Sequence, residues 1–335
     1  MRTFLMVLIG ALAAQGQSAT RSTADRLPRK VIVGTVILHS SRLPKDLEPR
    51  LAALGQLVDR VAAQSHQQFG RNPDLVVLPE IIVTPVEGVP FEGPVETAFA
   101  AMARRNHSYV VAPMIQIQDG RKFNAAILVD RQGKVAGIYH KLHIAVANGS
   151  DSLEDGTTPG QSVPVFETDF GKLGIQICFD MQYDYGWSEL ARQGADLVVW
   201  PTASPQTAHP AARAMQYGYY IVSSPWRNNA SVFEPTGKIT AQIRPPESIL
   251  VQEIDLSYAI LPWSEGLQNG AAMKARYGDK IGFHYYEDED QGIFWSNDPR
   301  VSIGKMAREM GFAEAGAELE RIRKLYRAAG VAAYR

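Results

Sequence analysis

The chain has 335 residues, of which 45% are hydrophobic and 21% charged, with a formal net charge of −1. That length buries a sizeable core, and the balance is that of a globular protein. The near-neutral charge removes the electrostatic case for nucleic acid or an anionic membrane as partner, which leaves a small-molecule substrate.

The N-terminus departs from this average. Met1-Arg2 is followed by an apolar run, Phe4 to Ala14, and by small-x-small sequences ending at Gly16 and Ser18. This layout predicts a signal peptide over residues 1–18, hence a secreted or periplasmic protein. The run is shorter than the ~20 apolar residues that span a bilayer, so no stable membrane insertion is expected after cleavage. Residues 19–30 read as a polar linker.

Val31 to Ile37 reads as a buried strand. Leu47, Leu51, Leu54, Val58 and Val61 then recur at helical spacing until Gly70. Asp74 to Glu80 is a short apolar strand stopped by Pro79. A helix is predicted over Val95 to Arg105, followed by strands at Tyr109 to Ile115, Asn124 to Val129 and Val135 to Tyr139. The second half repeats the alternation. Gly174 to Ile177 is a strand leading into Cys178, Tyr185 to Gly194 a helix, and Asp196 to Pro201 a buried strand. A helix over Ala208 to Tyr217 and strands at Tyr219 to Ser223, Ser231 to Phe233 and Ser248 to Ile254 follow. This alternation predicts an α/β fold, with hairpins that argue against one purely parallel sheet. From residue 257 the pattern weakens. It ends in a helix near Ala313 to Ala328, read as part of an extension packing on the domain or on a partner subunit.

Three apolar strands end in one reactive side chain each: Glu80, Lys141 and Cys178. Rigid strands aim side chains at such ends while loops close a pocket. Cys178 is the chain's one cysteine, and a free thiol has a pKa of about 8.5. A carboxylate can take its proton, and an ammonium with a backbone N–H, that of Phe179, can stabilise the charge developing on an attacked carbonyl or nitrile. The intermediate is a thioester or thioimidate. The seven histidines are scattered, and Glu287 to Asp290 lacks the spacing of a calcium loop, so neither metal nor cofactor is expected. His140 and His143 flank Lys141 and read as structural or pocket-wall residues. Trp187, Trp200, Trp226 and Tyr183 are candidates for lining a substrate pocket, together with Phe179.

Asp74-Leu75-Val76-Val77-Leu78-Pro79-Glu80, Tyr139-His140-Lys141-Leu142-His143 and Gly171 to Asp180 resemble the nitrilase, or carbon–nitrogen hydrolase, superfamily over about residues 31–256. Thr158-Pro159-Gly160 and Phe233 to Gly237 sit where that family has similar loops. The resemblance implies a four-layer α-β-β-α sandwich with a C-terminal extension at 257–335, pairing sandwich to sandwich in homo-oligomers. It also implies Glu80 as base, Lys141 as transition-state stabiliser, Cys178 as nucleophile, and a second glutamate, best matched by Glu154, that positions nucleophile and substrate. Cys178-Phe179-Asp180 departs from the Cys-Trp-Glu of true nitrilases, which favours an amide or carbamoyl-type substrate. A nitrile substrate, acyl transfer to an amine and a non-catalytic binding role are the alternatives.

Overall fold

A computed structural model describes residues 22–83, 87–146, 152–153 and 156–332. The expected signal peptide and Glu154 lie outside the described residues. In chain order the first half contains β1 (Lys30–Val36), α1 (Leu47–Phe69), β2 (Leu75–Val77), α2 (Pro94–Asn106), β3 (Tyr109–Gln118), β4 (Arg121–Val129) and β5 (Val135–His140). The second half contains β6 (Val165–Thr168), β7 (Gly171–Ile175), α3 (Tyr185–Arg192), β8 (Leu197–Thr202), α4 (Ala208–Tyr217), β9 (Tyr220–Pro225), β10 (Ala230–Phe233), β11 (Ile239–Ile243) and β12 (Ile249–Asp255). An extension adds β13 (Tyr258–Pro262), α5 (Ala271–Tyr277), β14 (Ile281–Tyr286), β15 (Gln291–Ser296), α6 (Ile303–Glu309) and α7 (Ala315–Ala328).

The strands form two six-stranded sheets, ordered β12-β1-β2-β3-β4-β5 and β11-β10-β9-β8-β7-β6. Alternate residues of each strand face opposite sides, and both sides are buried. Val31, Val33, Leu75 and Val77 of one sheet meet Leu173, Ile175, Leu197 and Val199 of the other in the central layer. On the outer face of the first sheet, Val76, Val110 and Ile127 pack under Leu54, Val58 and Val61 of α1. On the outer face of the second, Val198 and Trp200 pack with Trp187 and Leu190 of α3 and Ala214 of α4. This is the four-layer α-β-β-α sandwich. At about 1.5–3 kcal/mol for each fully buried large apolar side chain, these three clusters supply most of the driving force for folding.

Both sheets are parallel at their centres, β1-β2-β3 and β7-β8-β9. The carboxyl ends of β2, β7 and β8 therefore open in the same direction within each sheet. The two sheets are stitched near those ends: Thr35 Oγ1 donates to Ser223 O at 2.7 Å, and Ser224 Oγ lies 3.1 Å from Val36 O and 3.0 Å from Val77 O.

Two stretches differ from the sequence reading. Residues 22–29 are no free linker, because Ala24 is fully buried among Ala259, Leu261 and Ile303, and Arg26 pairs with Asp196 at 2.5 Å. The extension contains an antiparallel sheet, β13-β15-β14, where no strand was predicted. It packs through Leu261, Met273, Ile281 and Phe294 against α6. No helix among the described residues is long and apolar enough to cross a membrane.

Candidate active site

Glu80 leaves the end of β2, Lys141 follows β5, and Cys178 opens a short 3-10 turn after β7. The fold brings the three together. Glu80 and Lys141 are buried to 2% and 1% exposure, and Lys141 Nζ lies 2.9 Å from Glu80 Oε1. The same oxygen accepts Asn124 Nδ2 at 2.9 Å, while Oε2 accepts the Ala203 N–H at 3.1 Å. Lys141 is held by its backbone as well: its N–H donates to Asn124 O and its carbonyl accepts the Gly160 N–H, both at 2.8 Å. Gly160 is needed there, since a Cβ would fall 2.1 Å from His140 O.

Cys178 feels both charges. Burial pushes its thiol up to about 12, and the Glu80 carboxylate adds to the rise. The Lys141 ammonium, the Ala203 N–H and the Thr202 hydroxyl pull in the opposite direction. The thiol is therefore uncharged at neutral pH, and a base must remove its proton when it attacks. Two backbones beside the site are strained: Cys178 has φ 39° and Ile81, next to Glu80, has φ 51°. Such conformations cost of order 1–3 kcal/mol each and persist where surrounding contacts enforce them.

Around the Cys178 turn the enforcing contacts converge on Asp180, which is fully buried. Its Oδ2 accepts Tyr139 OH at 2.7 Å and Ile177 N–H at 2.9 Å. Its Oδ1 accepts His143 N–H at 2.8 Å and lies 3.0 Å from His143 Nδ1. One carboxylate thus ties the nucleophile turn to the segment that carries Lys141. His143 stacks on Tyr183 with ring centroids 4.0 Å apart. His140 instead stacks on Phe123, with Nε2 3.0 Å from Gln116 Oε1.

The candidate pocket residues separate into two groups. Tyr183 is exposed and Phe179 half-buried, with their rings edge to face beside the nucleophile. Trp226 is half-buried, and its Nε1 donates to Glu80 O at 2.7 Å. Trp187 and Trp200, in contrast, have no accessible surface, so neither presents a face to a ligand. Both belong to the packed layer between β8 and α3, and their indole N–H groups are spent on Asp180 O at 3.0 Å and Cys178 O at 3.1 Å. Asn124, Asp180, Thr202 and Ala203 were missing from the sequence reading; Asp180, two residues after the thiol, was the one within its motifs. Among the described residues there is no group of three or more His, Cys, Asp or Glu side chains able to hold a metal.

The sequence profile of the carbon-nitrogen hydrolases matches residues 38–261. The chain belongs to the carbon-nitrogen hydrolase family. An omega-amidase of Danio rerio is 26% identical over 260 residues, covering 68% of this hydrolase and 90% of that protein. A member of branch 10 of the nitrilase superfamily from Saccharomyces cerevisiae shares the fold at TM-score 0.58 and 22% identity, over 68% of this chain and 91% of that one. A mutant amidase from Nesterenkonia sp. AN1, carrying the product of Michael addition of acrylamide at its active-site cysteine, does so at TM-score 0.56 and 20% identity, over 66% and 92%. This chain is an amidase-like carbon-nitrogen hydrolase.

Proposed function

We propose that the protein is an exported amidase that hydrolyses a small carboxamide through a Cys178 thioester and releases ammonia. The observation that carries the reading is the pairing around the thiol: Lys141 Nζ and Glu80 Oε1 at 2.9 Å, with Glu80 Oε2 sharing the Ala203 N–H that also faces the sulfur. In the first half-reaction Cys178 Sγ bonds to the amide carbon while Glu80 takes the thiol proton. The Lys141 ammonium and the Phe179 N–H meet the oxyanion. The C–N bond then breaks, Glu80 passes its proton to the leaving nitrogen, and ammonia departs. In the second half Glu80 takes a proton from water, the hydroxyl adds to the thioester carbon, and the thiol leaves with that proton.

The relatives favour a carboxamide over a nitrile, since one is named an omega-amidase and another an amidase. Export rests on the apolar run from Phe4 to Ala14 behind Arg2, and assembly as a homo-oligomer on the family resemblance. The test is ammonia release from the purified protein over omega-amides of dicarboxylic acids, simple amides, carbamoyl amines and nitriles, with Cys178→Ala as control. Amide turnover lost in the control is expected. Turnover of nitriles alone, or equal release by parent and control, overturns the proposal.

A further inference from the structure

Asn124 belongs to β4, beside the end of β5 that leads into Lys141, and it holds the backbone of Lys141 and the carboxylate of Glu80. Its carbonyl accepts the Lys141 N–H at 2.8 Å, and its Nδ2 donates to Glu80 Oε1 at 2.9 Å. Lys141 Nζ closes the ring on that same oxygen at 2.9 Å. Asn124 is fully buried, yet its Oδ1 has no hydrogen-bond partner among the described residues. A buried acceptor left unpaired is costly, so something must hold the amide in this orientation. The Glu80 carboxylate does so: turning the amide over would set Oδ1 against it, oxygen to oxygen.

We propose that Asn124 is a positioning residue of the hydrolase, which fills Glu80 Oε1 together with Lys141 and so leaves Oε2 as the oxygen that exchanges protons with Cys178. The inference rests on the reading of Glu80 as base. Oε2 is the oxygen on the thiol's side, because the N–H it accepts, that of Ala203, also faces the sulfur. Asn supplies a donor without a charge. An aspartate in its place would set a second carboxylate against that of Glu80, and one of the two would hold a proton to higher pH.

The experiment is the pH dependence of kcat/KM for one amide, measured on the parent, N124D, N124S and E80Q, each checked for fold by circular dichroism. N124D is expected to move the acid limb up by about one pH unit or more and to lower kcat at least about tenfold, with KM changed by less than about threefold. In N124S the hydroxyl is too short to reach Oε1, so kcat falls while KM holds. A folded N124D with the parent's acid limb and kcat overturns the proposal. If N124D does not fold, N124S decides, and the parent's kcat in N124S overturns it. E80Q separates the two readings. Activity surviving in E80Q removes Glu80 as base, whereas inactive E80Q beside unchanged Asn124 variants removes only the role of Asn124.

Discussion

Trp200 Nε1 lies 3.1 Å from the carbonyl oxygen of Cys178, so a side chain of the neighbouring strand grips the nucleophile by its backbone. Two residues further along β8, on the same face by strand periodicity, stands Thr202, fully buried, whose hydroxyl faces the sulfur. Its Oγ1 already accepts the Ser204 N–H at 2.9 Å, which directs its own proton elsewhere. One strand therefore fixes both the carbonyl and the sulfur of a residue held at positive φ.

Thr202→Val keeps the shape and removes the donor. It is expected to lower kcat about tenfold, or ~1.4 kcal/mol, the size of one hydrogen bond to a developing anion. Thr202→Ser should recover most of that loss. Steady-state rates on a single amide decide, and an unaltered kcat in the valine variant contradicts the assignment.

The thiol's raised pKa fixes the sign of its pH response. A group pushed up to about 12 stays protonated from pH 7 to 9, where an ordinary thiol ionises. Alkylation by iodoacetamide, followed by mass spectrometry at the single cysteine, should therefore show no inflection near pH 8.5 and should climb only toward the alkaline limit. In Glu80→Gln the second cause of the rise is gone, and the climb should begin at lower pH. A full thiolate step below pH 8 in the parent is incompatible with this geometry.

Lys141 and Glu80 form a pair with side chains only 1% and 3% exposed. Lys141→Met removes the cation and strands the carboxylate, which costs about 3–5 kcal/mol. Replacing the carboxylate as well, in Lys141→Met with Glu80→Gln, should regain part of that stability and none of the activity. Urea unfolding midpoints test it: the double variant must unfold later than the single one.

Asp180→Ala leaves Tyr139 OH, the Ile177 N–H and two donors of His143 without their acceptor. With about 1–3 kcal/mol for each buried group left unpaired, a loss of at least ~3 kcal/mol is expected, along with activity. Thermal melting is the readout, and a melting temperature within two degrees of the parent would refute the keystone role.

Glu80, Lys141 and Cys178 were legible in the sequence because each ends an apolar strand and each sits in a motif of its family. Their supports were not. Asn124 reaches Glu80 across 44 residues of chain and Ala203 across 123, and nothing local marks either one. The tryptophans were visible as large apolar residues, but an apolar residue does not declare which side of its strand it faces. Trp200 shares the outer side with Val198, which buries it beneath α3. The strands of the extension were hidden for a related reason. Gly282 stands opposite Trp295, and a Cβ there would fall 2.4 Å from the indole. The pair packs well only with a glycine in mid-strand, the residue that a sequence reading treats as a break.

The packing of residues 22–29 has a practical corollary for handling the enzyme. Arg26 is anchored on Asp196, just before β8 begins, whereas Thr202 and Ala203 lie where that strand finishes. A carrier domain or bead surface joined at Ser22 is thus attached four residues from Arg26, by the end of β8 opposite to the one that faces the thiol. Immobilisation through Ser22 therefore places the support by the start of β8, with the sulfur-facing Thr202 and Ala203 at the strand's other end.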